Sequence, residues 1–565
     1  MGILLLLGVQ FLTSCEDYDV TNPIIQNNNG LNSIKVENGI VNLPSKDFLN
    51  TLIKDYRDGI NGQNKFNEKI KLLQSKGFKP LVPIFEGLDE KELHEYVLRK
   101  KNRLQRRNAD YGLLHRDSRD SELDLDDEIV DDPFLAALLN EDREIIIADI
   151  LYKYTELGLL FIQKDNKQIV LNYINSKTPQ EKLSIIMLHK SEFSTTDKAE
   201  EKIEALENGI TSFRMLNVNP ISSDPDNDGG GGGSGGGSGS GNSDGNIGGN
   251  GGLGLGDLAN GNSTSGTGSF GNGVFDPTTF GTCTIESQGF FEGIFGETES
   301  SYEYYNDNRR VKVRFWNQNY FVFASIGALT KFQKREHLNV LVGTISWWEQ
   351  SFADTIRLGI NNITFKYNFN VPVFNLAQFN YETTFFEYNG TKYNYNGQVI
   401  PTVPTSAGSF NFPVNSDDNV VNMTFAGINN AINNGQINQA IDFALDRLID
   451  QVQSYAVKQQ LQQKRSLGVL EVRAVYAVPN TNSVKFIIAK QNWGANNENA
   501  IAHYFDCNFL ISYNSSTNYN TNTGQGITNY LQAFNGATSY SEVKADLYGA
   551  ALHNNFWKGR RLYSN

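Results

Sequence analysis

One stretch limits what this chain of 565 residues can fold into. From about Asp228 to Gly273 the sequence is low in complexity and rich in glycine and serine, opening Gly229-Gly230-Gly231-Gly232-Gly233-Ser234. Chain of this composition behaves as a flexible coil, about 5–6 Å × √n across, so some 45 residues span about 35–40 Å. It contributes nothing to a core. The expectation is two units, residues 38–216 and 275–565, joined by a linker over 222–274 and able to move independently.

The first unit reads as mainly helical. Ser45 suits an N-cap before Phe48, Leu49, Leu52, Ile53 and Tyr56 at helical spacing. A second helix takes in Leu93 to Leu104 with the basic run Arg99-Lys100-Lys101, and Asp132-Pro133 opens a short one over Phe134 to Leu139. Glu144 to Ile147 and Leu159 to Ile162 read as strands.

The second unit is strand-rich. In Val311-Lys312-Val313-Arg314-Phe315-Trp316 the valines and Phe315 share one face, a period of two. Asn317-Gln318-Asn319 is read as the turn into a strand over Tyr320 to Ile326. Pro479-Asn480-Thr481-Asn482 reads as a hairpin turn between Val469–Val478 and Ser483–Ala489. His553-Asn554-Asn555 does the same between Val543–Leu552 and Phe556–Tyr563. One long amphipathic helix lies between them, with Ile437, Ile441, Leu445, Leu448, Val452 and Tyr455 as its stripe and Lys464, Arg465 and Gly468 at its end. The fold class expected is α+β: a mainly helical N-terminal domain, a Gly/Ser-rich linker, and a strand-rich C-terminal domain.

The first fifteen residues carry an apolar run, Ile3 to Leu7, then Leu12-Thr13-Ser14-Cys15. The run is about half of the ~20 residues that a spanning helix needs, and it suits a secretory signal. The segment resembles the lipobox of a bacterial lipoprotein. The resemblance implies a signal peptide over 1–14, lipidation of Cys15 and a tether over 15–37. Glu16-Asp17-Tyr18-Asp19 is similar to the acidic export signal of Bacteroidota surface lipoproteins and implies display on the outer face of the outer membrane. Two further patches resemble uncharacterised members of that group: Asp131 to Asn140 leading into Tyr152-Lys153-Tyr154-Thr155, and Tyr548-Gly549-Ala550-Ala551 with Trp557-Lys558-Gly559. No activity comes with the likeness.

A net charge of −14 argues against nucleic acid as a partner, because phosphate rewards clustered Lys and Arg. Besides Cys15 there are Cys283 and Cys507. In an oxidising compartment they can pair, closing a loop worth about 5 kcal/mol; sequence leaves their pairing open.

His94-Glu95-Tyr96-Val97-Leu98 begins like a zinc-protease helix but has Leu98 where the second histidine belongs, so it is a charged helix face. His503 and Cys507 share a strand face ~13 Å apart, beyond hydrogen-bond reach. Asp224, Asp226 and Asp228 have the spacing of half a calcium loop, but Gly235 stands where the closing Glu belongs. Calcium is therefore a weak expectation, and no other cofactor is implied. The acidic run Asp124, Asp126, Asp127, Glu128, Asp131, Asp132 follows the basic run Arg99 to Arg107, and such blocks most often compensate each other across solvated faces. All five tryptophans lie in the second unit. Adjacent Trp347 and Trp348 point to opposite faces of a strand, so one is exposed unless both faces are covered, and the pair is the candidate binding site for stacking on a sugar or anchoring a partner.

No catalytic motif stands out, which leaves the enzyme question open. The leading reading is a lipid-anchored surface protein, held in the membrane through Cys15, that presents the distal unit to an outer-membrane protein or a glycan. A surface hydrolase acting on polysaccharide or peptide is the alternative, and a structural component of an outer-membrane assembly is the third.

Overall fold

The computed structural model describes residues 34–57, 59–110, 123–191, 200–216, 275–285, 294–340, 343–368, 470–477, 483–505 and 541–564, with shorter stretches between 385 and 466 and at 510–512. Cys15, Asp224, Asp226, Asp228 and Cys507 lie outside the described residues.

The N-terminal half is not a mainly helical domain. Its centre is a seven-stranded sheet in the order 35–37, 40–43, 144–147, 150–155, 158–163, 211–216, 200–205. Two-residue turns build much of it. Asn38-Gly39 joins Glu37 to its partner Ile40, and Ala148-Asp149 joins Ile147 to Ile150. Both pairs have positive φ at both positions, the conformation whose twist matches paired strands. The expected helices are present and lie on this sheet. Ser45 Oγ accepts from Phe48 N at 3.1 Å and caps the helix Lys46–Arg57. Asp132 caps Pro133–Leu138 through Leu135 N at 3.0 Å. Leu49, Leu52, Ile53, Phe66 and Ile70 pack on Val41, Leu43, Ile145, Ile147 and Leu159. On the other face, helix Lys167–Ser176 covers Leu160 and Ile162 through Val170. Covering on both faces explains why Leu159 to Ile162 reads as an unbroken apolar run.

The C-terminal half is a sandwich of two sheets. The second sheet runs 296–306, 309–319, 324–340, 343–350, with 500–504 also paired to 324–340. The third has nine strands, in the order 391–394, 385–388, 420–425, 471–477, 483–498, 353–368, 541–553, 556–563, 281–284. Val311, Val313, Phe315, Ile326, Ala328 and Phe332 meet Ile356, Leu358, Ile363, Phe365, Leu547 and Ala551 between the two. The hairpin turn Asn554-Asn555 joins His553 to Phe556, with φ of 52° and 63°. The turn expected at Asn317–Asn319 falls later: those residues finish the strand, and Tyr320 N donates to Phe323 O at 2.9 Å. The single long helix is also interrupted. Helical residues up to 451 give way at 452–454, and a new helix, Tyr455–Ser466, starts with Lys458 N on Ser454 O at 2.9 Å. Tyr455, expected on the buried stripe, is exposed.

The two halves share a buried cluster and hydrogen bonds. Ile294, Phe295, Tyr320, Val322 and Phe323 belong to the same buried cluster as the helices and sheet of the N-terminal half. Met215 N donates to Ile294 O at 2.9 Å, and Tyr154 Oη donates to Tyr320 O at 3.1 Å. Leu123-Asp124 adds a parallel strand to Trp347-Trp348 at the edge of the second sheet. The glycine-rich stretch lies outside the described residues, and its composition carries no information about whether the flanking surfaces fit each other.

Candidate functional site

The faces of the strand Arg309–Asn319 divide by residue number. Odd positions 311, 313 and 315 face the third sheet. Even positions bring Arg310, Lys312, Arg314 and Gln318 to the other face, and the adjacent strand adds Ser325, Lys331 and Gln333. Lys312 and Arg314 are 0% and 2% exposed, so this second face is as dry as the first. What covers it is the acidic segment from Asp124 to Asp132.

The pairing is a shared network, in which Lys312 alone reaches three carboxylates. Asp124 Oδ2 accepts from Arg310 Nη2 at 2.6 Å and from Lys312 Nζ at 2.9 Å, while Oδ1 accepts from Gln333 Nε2 at 3.1 Å. Asp126 Oδ2 accepts from Lys331 Nζ at 2.7 Å. Asp127, whose side chain stays more than half exposed, accepts from Lys312 at 3.1 Å and Arg314 at 2.8 Å. Asp131 pairs with Arg314 at 3.1 Å. Ser325 Oγ donates to Asp132 Oδ2 at 2.5 Å. Four carboxylates thus face four cations, and the guanidinium of Arg310 lies between the rings of Tyr302 and Trp348, 4.0 and 4.2 Å from their centroids.

Two neighbouring carboxylates are driven apart electrostatically. Burial, reinforced by Asp126, raises Asp124 above the usual carboxylate range. Burial acts on Asp126 in the same sense, but Lys312 and Lys331 outweigh it and hold Asp126 well below that range. Burial and Arg314 both oppose the charge on Lys312, yet Asp124, Asp126 and Asp127 prevail and raise it. An unequal carboxylate pair is what acid–base catalysis uses. Here the carboxylate oxygens that pair with the sheet point into it. The chemistry that this arrangement performs is mutual neutralisation, which binds the two halves.

The acidic run was expected to balance Arg99 to Arg107 across solvated faces; only its Glu128 pairs with that basic run through its side chain, and it does so out of water. Glu128 accepts from Lys100 at 2.9 Å, and both of these side chains are buried. Burial would raise Glu128, but Lys100, Arg143 and Arg103 lower it further than burial lifts it. Arg99 binds Glu141 at 2.8 Å. The rest of the acidic run turns to partners almost two hundred positions away. Sequence reading missed Arg310, Lys312, Arg314 and Lys331. The available signal was the cation at every second position from Arg310 to Arg314, facing a segment with Asp124 and Asp126 at the same spacing.

Trp347 and Trp348 are each 2% exposed, so both faces of their strand are covered. Trp347 sits with Tyr96, Val97, Leu123 and Leu125, with the His94 ring edge-on at 5.8 Å. Trp348 meets Tyr304 and Arg310. Neither indole offers a stacking surface. His94 is 3.9 Å from Glu90 on its own helix, as a charged helix face implies. Cys283 is a free thiol 3.7 Å from Glu299 Oε1, and there is no disulfide among the described residues. His503 stacks on Trp493 at 3.7 Å. No group of His, Cys, Asp and Glu among the described residues could hold a metal ion. Nor is any helix among them long and apolar enough to cross a membrane.

Compared with known proteins, the chain matches no family model, no curated protein and no solved structure.

Proposed function

We propose that the chain is a lipid-anchored surface protein that works by contact, as a binding or accessory partner of another protein in the outer membrane. The run ending in Cys15 and the acidic residues behind it support the anchor and the address. The observation that carries the contact role is an aromatic end of the sandwich. Phe352 and Phe556 are 56% and 45% exposed, and Tyr304 is also exposed. They come out at one end: Tyr305 Oη donates to Phe556 O, Lys558 donates to Tyr304 O, and Asn554 N, beside Phe556, donates to Asp354, beside Phe352. Aromatic rings are enriched where protein surfaces meet. Phenylalanine, with no polar edge, favours an apolar protein surface over a sugar.

The test is purification of the gently solubilised protein from its own membrane, beside a Phe352→Ser/Phe556→Ser variant. A stoichiometric membrane protein that accompanies the native chain and is lost from the variant supports the reading. The same partner held equally by both, or no partner with either, removes it. Glycan retention on an array in place of a protein partner would assign the surface to sugar.

A further inference from the structure

The interface between the halves has the form of a receptor and its peptide. Leu123-Asp124 joins the edge of the second sheet as an added parallel strand, opposite Trp347 and Trp348, and Leu125 N reaches Trp348 O at 3.4 Å. Strand addition of this kind takes affinity from main-chain hydrogen bonds and specificity from alternate side chains. The alternate side chains here are Asp124 and Asp126, read by Arg310, Lys312 and Lys331. Main-chain groups of the segment are recognised as well. Both terminal nitrogens of Arg314 donate to Asp126 O at 3.2 Å, Asp131 N donates to Gln318 Oε1 at 3.0 Å, and Asp132 N donates to Tyr320 Oη at 3.1 Å. Around this polar centre the apolar residues Phe295, Tyr320 and Phe323 seat in the core of the N-terminal half.

We infer that the basic face of the second sheet is a binding site for an acidic strand, filled within the chain by residues 123–132, and that the halves stay together when the connection between them is cut. A covalent link then only raises effective concentration. The ligand class is narrow: a strand with aspartates two apart, followed by a third and fourth carboxylate that reach Arg314.

The test uses the full chain with a specific protease sequence in place of Gly229–Ser234, cut to completion and passed over a sizing column. Both fragments should elute together at the volume of the uncut protein. Separate elution, or precipitation of one fragment, would overturn the inference. A charge exchange isolates the recognition itself. Asp126→Lys and Lys331→Asp, each made alone, should weaken fragment association at least tenfold, and the double exchange should recover most of that loss. If the double variant associates no better than the singles, the acidic strand is not what the face reads. Circular dichroism of each uncut variant separates a lost interface from a lost fold.

Discussion

Lys312 Nζ lies 2.9 Å from Asp124 Oδ2 although 188 positions separate the two residues. Neither side chain is left to water, and Asp126 and Asp127 share the same ammonium at 3.6 and 3.1 Å. A buried ion pair adds little over an apolar pair of the same shape, but removing one member leaves the other uncompensated. The relationship therefore acts as a registration device between the halves.

Lys312→Met should destabilise the protein by about 3–5 kcal/mol, because three carboxylates lose their common cation. Urea unfolding followed by tryptophan fluorescence measures it. A loss below about 1 kcal/mol would mean that the pair is solvated in solution.

Glu297 gives a pH dependence whose sign can be worked out. Burial pushes its carboxyl up to about 7 from an ordinary 4.5. The folded state then keeps a proton that the unfolded chain releases, so this contribution to stability is full below 4.5. It is lost as pH rises through 7. A tenfold gain in proton affinity corresponds to about 1.36 kcal/mol, and the residue keeps some exposure, so about 1–2 kcal/mol is expected. Glu297→Gln should shrink the difference between urea midpoints at pH 5 and pH 8. An equal difference in both proteins would count against it.

Trp347→Ala should cost about 3–5 kcal/mol in stability, the range for removing a buried large aromatic. The observable is the thermal midpoint, compared with that of Phe352→Ser. The exposed Phe352 should move it little. Equal midpoints for the two variants would contradict the burial of Trp347.

Asn555 holds φ 63° at the turn before the last strand. Glycine adopts that conformation freely, whereas a β-branched residue resists it by about 1–2 kcal/mol. Asn555→Val should lower stability by that amount, and Asn555→Gly should leave it equal or slightly higher. Denaturant midpoints for the three turns decide the matter, and an indifferent order would mean that the turn is not left-handed.

Where sequence reading succeeded, the interactions are local. The Ser45 cap, the Asp132-Pro133 helix start and the Asn554-Asn555 hairpin each involve partners within four positions, and their residue types suit only a few backbone conformations. The same local chemistry was present at Asn38-Gly39, where asparagine and glycine mark a two-residue turn, and reading it would have revealed a strand pair in the half expected to be mainly helical. The strands at 200–205 and 211–216 flank a second such pair, Asn208-Gly209, with φ of 58° and 79°.

The sequence by itself determined the helix starts at Ser45 and Asp132-Pro133, the turn at Asn554-Asn555, and that the strand at Val311 has two chemically different faces. Tertiary structure decided what each face meets. A lysine beside a valine reads as a solvent face because burying a charge is costly, and only a carboxylate arriving from another part of the chain offsets that cost. Asp124 arrives at Lys312 through the packing of both halves, and no window of neighbouring residues contains that information. The burial of Trp347 and Trp348 and the union of the two halves follow from the same contact.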